Sequence, residues 1–247
     1  MKIATWNVNG IRAREAQLCD WLERDLPDVL CLQEIKAERA QIPERCHHVD
    51  YHVYWHGMRA YSGVSLHVRK DLFTTDPAFT HPDFDMESRF VQVSLGNVII
   101  ASVYVPNGGK DYPAKLNFMK RLAEWSTDQH RQGRDLIICG DLNVARLDID
   151  VHPRERKADI IGQRPEERQL FAAMMGDHLA DVCRDLDPSN EGLFTWWPPW
   201  RNMRQRNIGW RIDYILASKS IAARVQSCTV LSDIGTSDHA PVMMTFT

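Results

Sequence analysis

The sequence predicts an α/β protein in which a mixed sheet, or two packed sheets, carries helices on the outside. Three observations carry that expectation. Short apolar runs such as Val29–Leu32 and Leu136–Cys139 read as strands buried on both faces. Leu18, Trp21, Leu22 and Leu26, and again Leu116, Met119, Leu122 and Ala123, repeat at helical spacing. Phe90–Leu95 and Val98–Val103 are joined by Gly96-Asn97 and read as a β-hairpin, which an all-parallel sheet would not contain.

In chain order, Ile3–Trp6 reads as the first buried strand, running into the polar end Asn7-Val-Asn9-Gly10. A helix over roughly 12–25 follows and stops at Pro27. Val29–Leu32 ends on Gln33-Glu34, and Tyr51–Trp55 and Val64–Val68 are further strands. The second hairpin strand ends on Tyr104, before the loop Pro106-Asn107-Gly108-Gly109. A helix over roughly 112–131 leads to Leu136–Cys139, where Gly140 releases the backbone before Asp141 and Asn143. Residues 146–164 are polar and aperiodic, a long loop. Pro165-Glu-Glu opens another helix, with Pro in the first turn and acids near the N-terminus. Residues 188–210 have loop composition with four tryptophans. Ile212–Leu216, Ala223–Leu231 and Val242–Phe246 are the last strands, with Gly235–His239 before the final one. No linker or repeat divides residues 1–247, so a single domain is expected.

Composition bounds the function. The chain is 44% hydrophobic and 26% charged, the balance of a soluble globular protein. A net charge of −3 excludes a strongly basic body but leaves room for a local basic patch facing a polyanion. The six cysteines are scattered with no Cys-x-x-Cys pair, which speaks against a zinc knuckle or redox motif. Cys31 and Cys139 sit in apolar runs as small hydrophobes. A reducing, cytoplasmic compartment is the simplest reading. No signal peptide and no membrane span is expected.

Asn7, Glu34, Tyr104, Asp141, Asn143, Asp213, Asp238 and His239 lie at strand ends or in the loops beside them. Each has a commoner reading alone: Gly-Asp-x-Asn is a turn, Glu34 opens a solvated stretch, and an Asp–His pair is structural. Together they form a chemical set at the end of the strands where α/β proteins bind ligands. Carboxylates and amides suit a hard cation, Mg²⁺ or Mn²⁺, rather than zinc. Amide, imidazole and phenol donors suit the oxygens of a phosphoryl group in transfer. Arg201, Arg204, Arg206 and Arg211 interleave with tryptophans, a pattern that follows phosphates and stacks on bases, or else a solvated face over a core.

Thr5-Trp-Asn7-Val-Asn9-Gly-Ile-Arg12, Leu32-Gln-Glu34-Ile-Lys36, Tyr61-Ser-Gly-Val64, Gly140-Asp141-Leu-Asn143, Gly209-Trp-Arg-Ile-Asp213-Tyr and Ser237-Asp238-His239-Ala-Pro241 resemble the motifs of the exonuclease III family of AP endonucleases, in that family's order. The resemblance implies a four-layered α/β sandwich, two packed mixed β-sheets flanked by helices. It implies a Mg²⁺- or Mn²⁺-dependent repair hydrolase cleaving 5′ to abasic sites in double-stranded DNA, acting as a monomer. A 3′→5′ exonuclease or 3′-phosphodiesterase activity would accompany it, on 3′-blocked ends. Glu34 is implied as a metal ligand, with Asn7, Asp141, Asn143, Asp238 and His239 around the ion. Asp141 is implied to activate water, with Asn143, Asn7 and Tyr104 as phosphate donors and His239 oriented by Asp213. Trp196, Trp210 and Ile212 match the family's pocket for an abasic sugar. Asn9, Arg12, Lys36, Tyr61, Arg204 and Arg206 are implied DNA contacts. The alternative is a relative acting on undamaged DNA or RNA.

One departure stands out: many relatives carry asparagines in the loop after the Asp141 motif, and residues 146–164 contain none. Arg154, Arg156 and Lys157 stand there instead.

Overall fold

A computed structural model gives the architecture and describes residues 1–72 and 76–247. The first half of the chain forms β1 (Lys2–Asn7), α1 (Ile11–Asp25), β2 (Val29–Gln33), β3 (Tyr51–Met58), β4 (Tyr61–Arg69), β5 (Phe79–Thr80), β6 (Phe90–Leu95) and β7 (Val98–Tyr104). The second half forms α2 (Tyr112–Arg131), β8 (Asp135–Asp141), α3 (Pro165–Met175), β9 (Leu179–Asp181), α4 (Val182–Leu186), β10 (Asp213–Ser218), α5 (Lys219–Ala222), β11 (Val225–Val230) and β12 (Val242–Phe246). They build two six-stranded mixed sheets, ordered β11-β12-β1-β2-β4-β3 and β5-β6-β7-β8-β10-β9.

The pleat explains the four layers, because alternate side chains leave a strand on opposite faces. Ile3, Val29, Cys31, Val64, Ile100, Ile137, Cys139 and Ile215 point inward and weld the sheets together. Ala4, Trp6, Leu30 and Leu32 point outward and receive Leu18, Trp21 and Leu22 of α1. Ile99, Ala101, Leu136 and Ile138 receive Phe118 and Leu122 of α2 and Phe171 of α3. Each such large side chain contributes about 1.5–3 kcal/mol on burial. The wholly apolar runs are therefore strands with a core on both sides.

Several expectations need correcting. Leu116 is only half-buried on α2, and Lys115 takes the inward position beside Phe118 and Met119. Residues 146–164 hold two 3₁₀ turns, Asp148–Asp150 and Pro153–Glu155, rather than one featureless loop. The short elements β5, β9 and α4 lack the length that makes periodicity legible. The scattered cysteines are not all free: Cys183 of α4 is bonded to Cys228 of β11, with Cα atoms 4.9 Å apart. That bond removes the cysteine argument for a reducing compartment, while Cys31 and Cys139 are free and buried as expected. Among the described residues no helix is long and apolar enough to cross a membrane.

Candidate active site

Strand pairing assembles the site. β7 runs parallel to β8 and places Tyr104 beside Asp141. β10 runs antiparallel to β8 and places Asp213 on the other side of Asp141. Asp213 is the first residue of its strand, and the reversed direction brings it to the same edge. In the other sheet, β1 parallel to β2 pairs Asn7 with Gln33 and leaves Glu34 just beyond. His239 comes from the loop entering β12, its carbonyl accepting from Trp6 Nε1 at 3.2 Å.

The backbone here is held in uncommon conformations. A Cβ on Gly140 (φ 144°) would collide with the Val103 carbonyl on the neighbouring strand. Asn9, Glu34, Lys36 and Asn143 are left-handed, with φ of 45°, 51°, 49° and 51°. The left-handed helical conformation costs an L-residue roughly 1–2 kcal/mol, and such residues gather where surrounding bonds force them, often at functional sites. Glu34 is fixed by Gly10 N–H donating to its carbonyl at 2.7 Å and Ile35 N–H donating to Gly63 at 3.1 Å. Asn143 N–H donates to Asp141 Oδ1 at 2.9 Å.

Asn7 links the two sheets. Its Oδ1 accepts from Asn9 N–H at 3.0 Å, which aims Nδ2 at Asp141 Oδ2 (2.8 Å) and Glu34 Oε1 (3.0 Å). Asn143 Nδ2 donates to Val105 O at 2.9 Å and approaches Asp141 Oδ2 at 3.3 Å. Both amides, implied as phosphate donors, here turn their N–H groups to Asp141. Lys36 pairs with Glu34 at 2.7 Å and donates to Asn9 Oδ1 at 2.6 Å. Asn9 and Trp196 Nε1 both donate to Asp238, at 2.8 and 3.0 Å. His239 Nδ1 lies 2.9 Å from Asp213 Oδ2, and its Nε2 faces Asp141 Oδ2 at 3.9 Å.

Electrostatics follow from that packing. Burial pushes the Asp141 carboxyl up; the His239 charge opposes it, Asp213 and Glu34 reinforce it, and it reaches about 7. Burial works against a charge on His239, but Asp213, Asp141 and Asp238 outweigh it and raise the ring to about 10. Burial would raise Glu34 too, yet His239, Asn7 and Lys36 hold it below the usual carboxylate range. Burial, then the Glu34 and Asp141 charges, push Tyr104 well above the ordinary tyrosine value, so the phenol keeps its proton.

A cavity of about 350 Å³ opens onto these groups, lined by Glu34, Tyr104, Asp141, Asn143, Asp238 and His239 on its polar side. Trp196, Trp210, Ile212 and Ile161 form the apolar side. The two indoles meet edge to face, centroids 5.5 Å apart. Trp210 packs against Gly162, whose φ of 94° and closeness to the ring exclude a side chain. Trp210 Nε1 is buried with no hydrogen-bond partner among the described residues. Asn107 and Ile161 line the cavity although nothing in the sequence reading selected them. Asn107 reads as a turn residue, and Ile161 belongs to the aperiodic loop.

Other expected residues lie further out. Tyr61 is exposed at the start of β4, and its hydroxyl accepts from Arg89, which stacks 4.6 Å over the Tyr104 ring. Arg12 is exposed on the first turn of α1. Arg204 spends its guanidinium on the carbonyls of Ser232, Ile234 and Ser237 and on the Trp197 face. Arg206 bonds Arg201 O at 3.4 Å on the same loop. Arg211 is buried in a cage of Asp150 and Asp181, so the basic run is partly internal. Arg154, Arg156 and Lys157 are exposed and make no ion pair within 4.0 Å among the described residues.

The donor set fits a hard cation. Glu34 and Asp141 offer carboxylate oxygens within 4.8 Å of each other, with the His239 ring beside them as a charged donor rather than a ligand. Four carboxylates, Glu34, Asp141, Asp213 and Asp238, face two cations, His239 and Lys36. That surplus of negative charge in a dry pocket is what a divalent ion neutralises.

The Endonuclease/Exonuclease/phosphatase family pattern matches residues 4–239. The exodeoxyribonuclease of Bacillus subtilis is 32% identical over 254 residues, covering 98% of each chain. The structure of a Neisseria 3′ phosphatase, NExo, bound to a product DNA hairpin, superposes with a TM-score of 0.91 at 30% identity, covering 100% of this chain and 99% of that one. An AP endonuclease from Archaeoglobus fulgidus superposes with a TM-score of 0.88 at 29% identity, again covering 100% and 99%. With the six motifs and the strand-edge cluster in place, the chain belongs to the Endonuclease/Exonuclease/phosphatase family, in its exonuclease III branch of AP endonucleases.

Proposed function

We propose that this protein is a metal-dependent DNA repair nuclease that hydrolyses the phosphodiester 5′ to an abasic site in double-stranded DNA, acting as a monomer. The abasic preference rests on the apolar wall of Trp196, Trp210, Ile212 and Ile161 beside Asp141 and His239. A bare sugar fits against indole faces, whereas a base finds few polar groups there to read its edge.

Glu34, Asp141 and neighbouring oxygens would hold Mg²⁺ or Mn²⁺, which when bound supplies Lewis-acid charge to a phosphate oxygen. The protein's own groups do the rest. Asp141, at the centre of the cluster, takes the proton of the attacking water. Asn7 and Asn143 aim that carboxylate. His239, kept protonated by Asp213, donates Nε2–H to a non-bridging oxygen. The Tyr104 O–H is a further donor on the cavity wall. As the new P–O bond forms, the P–O3′ bond breaks; the departing oxygen takes a proton from solvent and becomes the 3′-hydroxyl, and the 5′-phosphate stays on the abasic sugar.

A second substrate is 3′-blocked DNA, favoured by the likeness to the Neisseria 3′ phosphatase. The deciding experiment compares three labelled duplexes: one abasic site, one 3′-phosphate at a nick, and an undamaged control. Each is incubated with Mg²⁺, with Mn²⁺ and with excess chelator. Incision of the abasic strand that vanishes on chelation supports the proposal. Equal cleavage of the undamaged duplex, or full activity in chelator, overturns it.

A further inference from the structure

We infer that His56, His81 and Asp85 form a second metal site, separate from the catalytic cluster and suited to a borderline divalent ion such as Zn²⁺. His56 lies on β3, the outer strand of one sheet, and His81 and Asp85 follow β5, the outer strand of the other. The three residues therefore meet across the open side of the sandwich. One donor atom from each lies within 4.8 Å of the other two. His56 Nε2 is 2.5 Å from Asp85 Oδ2, and the two imidazoles stack with centroids 4.0 Å apart. Tetrahedral zinc with bonds of about 2.0–2.1 Å needs donors roughly 3.4 Å apart, within reach of small side-chain rotations.

The donors are oriented from behind. Asp85 Oδ1 accepts Arg89 N–H at 2.8 Å and Phe90 N–H at 2.9 Å, which leaves Oδ2 turned to the histidines. His81 Nδ1 lies 3.0 Å from the Phe90 carbonyl, which can only accept, so Nδ1 carries the proton and Nε2 the lone pair. A carbonyl behind one ring nitrogen is the usual support of a metal-binding histidine. The Tyr54 hydroxyl sits 2.9 Å from that lone pair, and binding exchanges this hydrogen bond and the one between His56 Nε2 and Asp85 Oδ2 for coordination, the proton of the latter leaving to solvent. Two imidazoles and one carboxylate select zinc, cobalt or nickel over Mg²⁺, which prefers oxygen alone. A bound ion would clip the outer edges of both sheets. It would also brace Arg89, whose guanidinium stacks on the active-site Tyr104.

The test uses Co²⁺ and Zn²⁺ titrated into chelator-stripped full-length protein in excess Mg²⁺. One equivalent of Co²⁺ should give visible bands of tetrahedral nitrogen–oxygen coordination, and Zn²⁺ should displace it and raise the melting temperature. Asp85→Asn keeps an oxygen for the two backbone N–H groups, so it folds, yet it loses the anionic ligand. Asp85→Asn and His81→Gln should each weaken binding by more than about 100-fold, beyond the range for loss of a supporting partner. Glu34→Gln, in the catalytic cluster, should bind Co²⁺ as the wild type does. Absence of a tight equivalent in Mg²⁺, or an unchanged Co²⁺ spectrum in Asp85→Asn, overturns the site.

Discussion

Replacing Lys115 with Met should cost the fold about 3–5 kcal/mol and loosen the asparagines of the active site. The Lys115 ammonium is fully buried, donates two hydrogen bonds and pairs with one carboxylate. It lies 2.5 Å from Glu167 Oε1, 2.8 Å from the Asn143 carbonyl and 3.2 Å from the Asn107 carbonyl. Glu167, also fully buried, takes Gly162 N–H at 2.7 Å and Arg164 N–H at 3.1 Å on its other oxygen. One ion pair thus gathers three loops that line the cavity. Lys115→Met strands a buried carboxylate and bares two carbonyls, and breaking such a pair costs about 3–5 kcal/mol. For a chain of this size that is a fall in melting temperature of roughly 6–20 °C. Lys115→Met with Glu167→Gln removes the stranded charge and should regain much of the stability. It should not regain the rate, because Asn143 and Asn107 still lack their anchor. Thermal and urea unfolding, with single-turnover cleavage well below the transition, separate the two effects. A loss under about 1 kcal/mol in the single variant, or a wild-type rate in the double variant, would refute this reasoning.

Asp141→Asn and His239→Ala should each lower kcat by roughly 10²–10⁴-fold, the range for a general base and an oxyanion donor, with far smaller effects on binding abasic DNA. A near-wild-type single-turnover rate in either variant removes that residue from the proposed chemistry. Trp210→Ala should narrow the ratio of abasic to undamaged cleavage by opening the cavity wall against Gly162; an unchanged ratio would make the ring core alone. Arg156→Gln with Lys157→Gln should flatten log K against log[salt] by roughly one to two units if these exposed cations meet phosphates, and an unchanged slope would leave the loop as bare surface. Burial holds His67 well below the ordinary histidine value, so the native ring is neutral and only the unfolded chain takes a proton below about 6.5. Stability should therefore fall as pH drops through that value, and His67→Gln should lessen the fall between about pH 7 and pH 5 in urea midpoints.

The strand ends were legible because each central strand is a mostly apolar run that closes on polar residues. Asn7, Glu34, Tyr104 and Asp141 each follow such a run and converge as expected. Strand direction was not legible, so the position of Asp213 became clear only from its antiparallel register with Asp141. Lys115 escaped notice because helical spacing through Leu116 gives nearly the same stripe, and one residue of rotation separates the two. Arg204 and Arg211 look like surface charge in composition, yet their partners are carbonyls and carboxylates far away in sequence. The bond between Cys183 and Cys228 spans 45 residues, a separation that no spacing rule reads.

The catalytic distances belong to the packing of the two sheets more than to any loop. Glu34 and Asn7 ride on one sheet, Asp141, Tyr104 and Asp213 on the other. Just behind them a buried polar rung crosses the interface. Thr5 Oγ1 donates to Gln33 Oε1 at 3.1 Å, Gln33 Nε2 to Ser102 Oγ at 3.1 Å, and Ser102 Oγ to the Leu32 carbonyl at 3.2 Å. Apolar contacts alone hold sheets together but tolerate sliding, since the hydrophobic effect has no direction. Directional bonds in a dry interior do not, because any slip leaves a polar group unpaired. The rung therefore sets how far Glu34 stands from Asp141, and Asn7 completes the link by bonding both. A site that must grip a small cation between two sheets needs that register, which explains why three polar residues occupy otherwise apolar strands at this level of the core.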